Sequence, residues 1–293
     1  MYVQFSENIP GIVLDSKNKT IHIDTSRVIS SIEEVYGKYV ENDIDFFAVS
    51  KEYAAGFYEF LECIKALPSG VKFVKGHITG PISYALSLTD QNKKAIIYDK
   101  DLFEVLTKIL VMRSKWQIRM LKKYFPNIII FIDEPYLVSI GSSFVNINID
   151  AAFEKLDELV KAIKAEGSLA GVHCCGNTDF SLLLKREIDI LSFDAYNFTK
   201  ELSLYAKELK DFLTKGGTIA WGIVPSSEVI EGQAPKALVE KLKAAFSLLA
   251  GKGIDKSALS SLITPSCGLG TLDEAMAKKI MALVRTLSKE FER

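Results

Sequence analysis

From about residue 70 onward, short runs of β-branched residues alternate with long amphipathic segments. Several of these short runs are continuously apolar, which is typical of parallel strands that are buried on both faces. The runs cover residues 71–78, 128–133, 169–173, 188–194, 218–223 and 261–265. Between them, apolar residues recur at helical spacing, as in the segment that contains Phe153, Leu156 and Val160. This repeated order of strand and helix predicts an α/β fold with a parallel sheet.

The polar residues at the strand ends favour one of the two architectures that contain such a sheet. An open doubly wound sheet concentrates its binding residues at one switch point, and no G-x-G-x-x-G motif follows a strand in this chain. A barrel distributes its chemistry over the C-terminal ends of many strands. The groups found there are Thr79-Gly80-Pro81, Asp133-Glu134-Pro135, His173-Cys174-Cys175, Asp194, Pro225-Ser226 and Pro265-Ser266-Cys267. The sequence therefore predicts a TIM-type (β/α)8 barrel.

The N-terminal part fits this architecture less well than the rest of the chain. Residues 12–24 predict a β-hairpin with a polar turn at residues 16–19. A barrel needs eight strands, and the sequence has six clear ones. We expect a single barrel domain over residues 1–293 that is incomplete at its N-terminal end. In it, residues 1–70 are irregular and residues 71–293 form clear βα units.

Charge and hydropathy exclude several classes of partner. The chain has 36 Lys and Arg against 37 Asp and Glu, so its net charge is -1 at pH 7. Nothing in this balance favours nucleic acid or an anionic membrane as a partner. No run reaches the roughly 18 apolar residues that a membrane-spanning helix needs, and the N-terminus lacks the pattern of a secretory signal. We therefore expect a cytoplasmic protein with reduced cysteines.

The strongest chemical signal is a strand that ends in His173-Cys174-Cys175. Side chains alternate along a strand, so His173 and Cys175 point to one side and Cys174 points into the packing layer. An imidazole beside a thiolate suits Zn²⁺. Cys267 follows the last strand and offers a second thiolate, and Asp194 is the candidate for a fourth ligand or for a residue that orients one. Three protein ligands and one exchangeable position are typical of a catalytic zinc.

The cysteines also have a purely structural interpretation. A free cysteine often behaves as a small buried apolar side chain, and two cysteines and a histidine on separate strands also arise by chance. We expect the packing role for Cys174 and for Cys63, which lies in an apolar helical segment. For the other three residues, their position at strand ends favours a metal site.

Two adjacent carboxylates, Asp133 and Glu134, follow five apolar residues. Such a pair can bind a substrate ammonium, hold a metal or transfer protons; the alternative is that Asp133 caps a turn and Glu134 is solvated. The glycine-bearing turn after residue 78 would let a substrate approach the backbone closely, or is an ordinary turn. The candidate catalytic residues are Asp133 and Glu134. The candidate substrate-binding residues are Thr79, Gly80, Pro81, Asp133, Glu134 and Asn177.

Four motifs occur in a fixed order along residues 72–275. They are K-G-x-[IL]-T-G-P at 75–81, I-D-E-P at 132–135, H-x-C at 173–175 and P-x-C-G-L at 265–269. Together they resemble the C-terminal catalytic half of cobalamin-independent methionine synthase. More broadly, the chain is similar to the superfamily that also contains uroporphyrinogen decarboxylase and the methylcobamide:thiol methyltransferases.

The resemblance implies a β/α barrel and a zinc ion that binds the acceptor thiol as a thiolate, with His173, Cys175 and Cys267 as ligands. The synthase completes its site with a glutamate, where this sequence has Asp194. The resemblance also implies that the I-D-E-P carboxylates hold the ammonium of a homocysteine-like acceptor. The expected activity, in methionine biosynthesis, is methyl transfer to a small-molecule thiol, and the donor is a corrinoid protein or methyl-folate.

Two other activities remain open. The first is a uroporphyrinogen decarboxylase-like lyase in which Asp133 or Glu134 does proton chemistry, although the N-terminal arginines that bind an acidic porphyrinogen have no counterpart here. The second is a non-catalytic thiol- or metal-binding barrel, because the chain lacks the G-S-x-P motif of the family's first strand. The lyase could work without zinc, so the metal content distinguishes it from the methyltransferase. The non-catalytic protein would bind a thiol without transferring a methyl group to it, so an activity assay identifies it.

Overall fold

The computed structural model is that of an α/β protein, and it describes residues 1–15, 17–18, 20–143, 145–255, 259 and 261–291. These residues divide into two units, Met1–Ala170 and Gly171–Arg293, each with its own packed interior. No observation tests the expectation of one domain, which stays a prediction. No helix among the described residues is both long enough and apolar enough to cross a lipid bilayer.

The first unit contains five strands and five helices among the described residues. The strands are β1 Ile12–Asp15, β2 Thr20–Ile23, β3 Val74–Thr79, β4 Thr89–Asp90 and β5 Ile128–Asp133. The helices are α1 Ile29–Val40, α2 Ala55–Ile64, α3 Pro81–Ser87, α4 Lys100–Lys122 and α5 Ile149–Ala165. Short 3₁₀ turns lie at Val3–Phe5, Thr25–Arg27, Ile44–Phe47, Ile96–Tyr98 and Pro135–Ser139.

The predicted hairpin is confirmed, because β1 and β2 pair antiparallel with Ile12 opposite Ile23. Two residues of its predicted turn, Ser16 and Lys19, lie outside the described residues. The short strand β4 was not predicted; it adds to β2 in parallel. These three strands form a small sheet of their own.

The strands β3 and β5 form a parallel pair, in register from Val74 opposite Ile128 to Thr79 opposite Asp133. The long helix α4 packs against both strands and against α5. Asp99 is its N-cap residue, and the carboxylate of Asp99 accepts hydrogen bonds from two N–H groups of the first turn. Because both strands start and end together, Thr79 and Asp133 lie side by side at the C-terminal edge of the pair.

The second unit contains four parallel strands and five helices among the described residues. The strands are β6 Leu169–Cys174, most of which lies in this unit, β7 Ile190–Phe193, β8 Thr218–Val224 and β9 Ser261–Pro265. The helices are α6 Ser181–Leu184, α7 Ala195–Leu202, α8 Ala206–Thr214, α9 Pro235–Ala250 and α10 Glu274–Phe291, with 3₁₀ turns at Ser203–Tyr205 and Glu228–Gly232. Within the unit, β6 pairs with β7, β7 with β8 and β8 with β9.

The alternation of side chains divides this sheet into two chemically different faces. His173 and Ser192 are neighbours in register on one face. Phe193 and Trp221 are neighbours on the other, with ring centroids 5.6 Å apart, and Trp221 also packs on Phe246 of α9 at 5.1 Å. Burying an aromatic side chain stabilises a fold by about 1.5–3 kcal/mol, so this aromatic layer anchors the helices and leaves the other face for polar groups.

All six strands predicted from the apolar runs are present, each paired in parallel with a neighbour. This supports the α/β class and the parallel pairing. A closed (β/α)8 barrel requires eight such strands, and the described residues contain six. The eight-stranded barrel therefore stays a prediction.

Candidate metal centre

Three side chains of the second unit converge: His173, Cys175 and Cys267. One ligand atom from each, an imidazole nitrogen or a thiol sulfur, lies within 4.8 Å of the other two. His173 is near the end of β6, Cys175 directly follows that strand, and Cys267 comes two residues after β9. The C-terminal ends of parallel strands lie at the same edge of a sheet. Cys175 and Cys267, which are 92 positions apart in the sequence, therefore lie close together there.

The His173 imidazole is held in an orientation that suits a metal ligand. Its Nδ1 lies 2.9 Å from the hydroxyl oxygen of Ser192, the residue opposite it on β7. Its Nε2 is buried and has no hydrogen-bond partner among the described residues. A metal-binding histidine commonly ligates through one nitrogen while the other is held by a hydrogen bond. The free, buried Nε2 therefore fits the predicted ligand role.

A glycine on β8 allows the chain after β9 to reach the centre. A Cβ atom at Gly222 would lie 2.4 Å from a carbonyl oxygen of β7 and 2.9 Å from the Cα atom of Ser266. Ser266 is fixed by three hydrogen bonds. Its N–H donates to the carbonyl of Val224 at 2.8 Å, its Oγ accepts from the N–H of Ser226 at 3.0 Å, and the two serine hydroxyls lie 2.9 Å apart. Cys267 is the next residue, so this close backbone contact sets its position.

The two thiols of the centre are electrostatically coupled. The hydrogen bond from Cys175 lowers the pKa of Cys267, and the nearby imidazole lowers it further. The same hydrogen bond, together with burial, raises the pKa of Cys175. Cys267 is therefore the first of the two thiols to lose its proton, and repulsion between two thiolates opposes the deprotonation of Cys175. A divalent cation between the sulfur atoms would offset this repulsion, since metal binding displaces thiol protons.

Asp194, the predicted fourth ligand, caps a helix. Its Oδ1 accepts from the N–H of Asn197 at 3.0 Å and its Oδ2 from the side-chain amide of the same residue at 2.7 Å. Burial raises the pKa of Asp194, and the nearby Cys267 adds to this shift. The carboxylate therefore lies close enough to Cys267 to act on it electrostatically, but it is not among the three converging groups. Direct ligation by Asp194 stays a prediction.

The remaining cysteines have different environments. Cys174 is completely buried, as expected of a side chain that points into the packing layer. Cys63 lies on an exposed part of α2, so the prediction of a packing role for it was wrong. The apolar neighbours of Cys63 in the sequence pack on the other side of that helix. Asn177, a predicted substrate-binding residue, is exposed two positions after Cys175.

In the first unit, Glu134 is completely buried and fixed by the backbone. Its Oε1 accepts from the N–H of Ile82 at 3.1 Å and its Oε2 from the N–H of Ser83 at 2.7 Å, in the first turn of α3. A Cβ atom at Gly80 would lie 2.2 Å from this carboxyl group, so only glycine leaves room for it. Burial raises the pKa of Glu134 to about 7. The residue is therefore neither solvated nor accessible, and it caps α3, which starts at Pro81.

Asp133, the neighbour of this buried carboxyl, is only half-buried. Thr79 lies opposite it in register on the same face of the strand pair, and its side chain is fully buried. The half-buried carboxylate of Asp133 has no hydrogen-bond or ion-pair partner among the described side chains, and the buried hydroxyl of Thr79 is also without one. Of the predicted substrate-binding residues of this unit, Asp133 therefore combines an unpaired polar group with exposed surface, whereas the unpaired hydroxyl of Thr79 is enclosed.

Sequence reasoning missed Ser192. The signal was present, because a serine interrupts the apolar run of β7 between Leu191 and Phe193. Its significance depends on the strand register, which places it opposite His173.

No family model matches the sequence of this chain, and no curated protein matches it either. The resemblance to cobalamin-independent methionine synthase therefore rests on the four motifs alone.

Proposed function

We propose that this protein is a zinc-dependent methyltransferase that moves a methyl group to a thiol such as homocysteine. The observation that carries the proposal is the convergence of one imidazole nitrogen of His173 with the sulfur atoms of Cys175 and Cys267 within 4.8 Å. The buried Nε2 of that ring has no hydrogen-bond partner among the described residues. One imidazole and two thiolates match the ligand preference of zinc, and three ligands leave one tetrahedral position for a substrate.

The chain's own residues define what such a site does. When bound, zinc would lower the pKa of an acceptor thiol, so that a thiolate is present at neutral pH. Ser192 holds the imidazole ring, and the backbone contact at Gly222 holds Cys267, so that the ligands need little rearrangement. In the reaction, the acceptor thiolate attacks the methyl carbon. A carbon–sulfur bond forms, the bond between the methyl group and the donor breaks, and its electron pair leaves with the donor.

The donor is a methylcorrinoid protein or methyl-folate in this proposal. Both present an electrophilic methyl group to the thiolate, and no residue described above discriminates between them. The activity experiment therefore tests both kinds of methyl donor separately.

A lyase that uses Asp133 or Glu134 is the second candidate. A carboxyl group with a pKa of about 7, such as that of Glu134, suits acid–base chemistry. Both of its oxygens, however, already accept backbone hydrogen bonds, and the side chain has no exposed surface. This placement favours a structural role for Glu134 and so supports the methyltransferase over a lyase that depends on it.

The first test is the zinc content of the purified protein. Wild type, reconstituted with zinc and then dialysed, should retain about one zinc per chain. His173→Ala and Cys267→Ala should lose it. Cys63→Ala is the matched control, because Cys63 is an exposed cysteine outside the cluster, and this variant should bind zinc like wild type. A wild type that retains no zinc, or a Cys267→Ala variant that retains it fully, would refute the metal centre.

The second test is methyl transfer. Zinc-loaded and metal-free protein are incubated with homocysteine and with methylcobalamin or methyltetrahydrofolate, and the thioether product is measured by mass spectrometry. We expect product only with the zinc-loaded protein, and none with Cys267→Ala. A zinc-loaded protein that binds homocysteine but forms no product with either donor would refute the methyltransferase and favour the non-catalytic metal-binding protein.

A further inference from the structure

The two thiols of the candidate metal centre are placed so that they can also react with each other. The sulfur atoms of Cys175 and Cys267 lie within 4.8 Å, and a hydrogen bond links the two groups. A disulfide bond is about 2.05 Å long, so the sulfur atoms have to approach each other by less than about 3 Å. Rotation of a cysteine side chain between staggered rotamers moves its sulfur atom. The pair therefore lies within reach of a disulfide bond.

The two thiols differ in their access to solvent. Cys267 is exposed, and a Cβ atom at Gly268 or Gly270, in the segment that follows, would meet nothing within 4 Å. This open space lets a small oxidant approach Cys267. Cys175, directly after β6, is only partly exposed. An accessible thiol beside a second thiol is typical of redox-sensing cysteines, in which the second residue resolves the oxidised first one.

The third cysteine of this unit does not compete for the pair. Cys174 is completely buried and lies on the opposite face of β6 from its two neighbours in the sequence. Its thiol donates to the carbonyl of Gly176 at 3.7 Å, and it is not among the converging groups. The fold therefore selects one pair among the cysteines of the second unit.

We propose that Cys175 and Cys267 form a reversible disulfide that excludes the metal, so that a peroxide switches the centre off. The Cys267 sulfur attacks a peroxide oxygen, the O–O bond breaks, and a sulfenic acid and one water molecule form. The Cys175 sulfur then attacks the sulfenic sulfur, the S–S bond forms and a second water molecule leaves. Two electrons pass from the thiols to the peroxide, and both thiol protons end in water. The disulfide has no thiolate left, and the thiolate is the form of cysteine that ligates a metal.

Reduction restores the centre. A dithiol attacks the disulfide, returns both cysteines to thiols and is itself oxidised to a disulfide. Bound zinc and the disulfide need the same two sulfur atoms, so each opposes the other. As a switch, the disulfide rests on the proposed function, because loss of the metal stops catalysis only in a zinc enzyme. The bond itself forms in metal-free protein.

The first measurement detects the disulfide in metal-free, full-length protein that is treated with hydrogen peroxide and then alkylated. Trypsin places Cys175 in the peptide 165–185 and Cys267 in the peptide 257–278. Mass spectrometry should detect one species that joins these peptides, and dithiothreitol should separate them. Cys174→Ala should form the joined species like wild type. Cys175→Ala, which keeps Cys174 in the same peptide, should not.

Two results of this measurement would overturn the proposal. One is the absence of the joined peptides in peroxide-treated wild type. The other is their formation in Cys175→Ala, which would show that Cys174 supplies the sulfur.

The second measurement follows the metal. Zinc-loaded protein should keep its zinc in the presence of a weak chromophoric chelator. Peroxide should release about one zinc for each disulfide formed, and reduction should restore a capacity of about one zinc per chain. Cys63→Ala is the control, because Cys63 lies outside the cluster, and this variant should respond like wild type.

The outcomes separate the switch from the proposed function. Zinc that stays bound to the cross-linked protein would overturn the switch. A reduced protein that binds zinc but forms no disulfide would overturn the switch alone. A reduced protein that retains no zinc would refute the proposed function together with the switch, even where the joined peptides form.

Discussion

Replacing Gly222 by alanine tests how the backbone positions the candidate metal centre. The new methyl group would lie 2.4 Å from a carbonyl oxygen of β7 and 2.9 Å from the Cα atom of Ser266. Both neighbours are backbone atoms within or directly after strands, so they cannot turn away as a flexible side chain would. Either β8 or the segment after β9 must move, and that segment carries Cys267.

The expected magnitude follows from the size of the overlap. A Cβ contact normally lies at 3.4–4 Å, so the carbonyl contact is about 1 Å too short, and overpacking of this kind costs about 1–3 kcal/mol. Displacement of a zinc ligand lowers the metal affinity as well. We expect a loss of about tenfold to hundredfold, the range found when the groups that orient zinc ligands are removed.

The assay has two readouts and a matched control. Urea unfolding gives the free energy of unfolding, and competition with a chromophoric chelator gives the zinc affinity. Gly232→Ala is the control, because a Cβ atom there meets nothing within 4 Å and the residue lies in the same unit. It should change neither quantity. A Gly222→Ala variant with the zinc affinity of wild type would refute the argument that this glycine positions Cys267.

Three further predictions concern single side chains. Ser192→Ala removes the hydrogen bond to the ligand imidazole and should weaken zinc binding at least tenfold, measured by the same competition; unchanged affinity would show that the hydroxyl does not orient the ring. Wild type should lose stability as the pH rises from about 4.5 to about 7, because the folded protein binds the proton of Glu134 more tightly than the unfolded chain does. Unfolding of Glu134→Gln across this range should lack that component, and identical pH profiles would contradict it. Gly76→Ala forces a methyl group onto the Gln117 amide and should lower the free energy of unfolding by about 1–3 kcal/mol, whereas Gly56→Ala, with open space around it, should not; equal stabilities of the two variants would argue against the close contact.

Carboxylates that follow strands in this protein differ in their roles, and the residue type does not reveal which role each one has. Asp133 and Glu134 are adjacent carboxylates, yet one is accessible and the other is enclosed by the first turn of α3. Similarly, Asp194 follows a strand like the true members of the cluster, but its oxygens are occupied by Asn197. Replacing a carboxylate by the amide of the same shape is therefore expected to affect stability differently at accessible Asp133 than at Glu134 or Asp194, whose oxygens accept hydrogen bonds.

Several features follow from local sequence pattern. Several of the six parallel strands, such as β5, coincide with a continuous apolar run, because a strand buried on both faces requires one. The alternation of side chains along β6 also predicts that Cys174 is buried and that its two neighbours lie on the other face, and Cys174 is indeed buried. The candidate ligands could be named from the sequence because they lie at or just after the ends of predicted strands, and parallel strands end at a common edge.

Other features depend on which distant segments become neighbours. Ser192 gains its role from the register that places it opposite His173, and Glu134 gains its role from the helix that folds over it. The exposure of Cys63 likewise depends on which side of α2 is covered. Apolar periodicity is a property of a few consecutive residues and can be read along the chain. Hydrogen-bond partners and burial are set by strand register and helix packing between residues far apart in sequence, so they emerge only when the chain is folded.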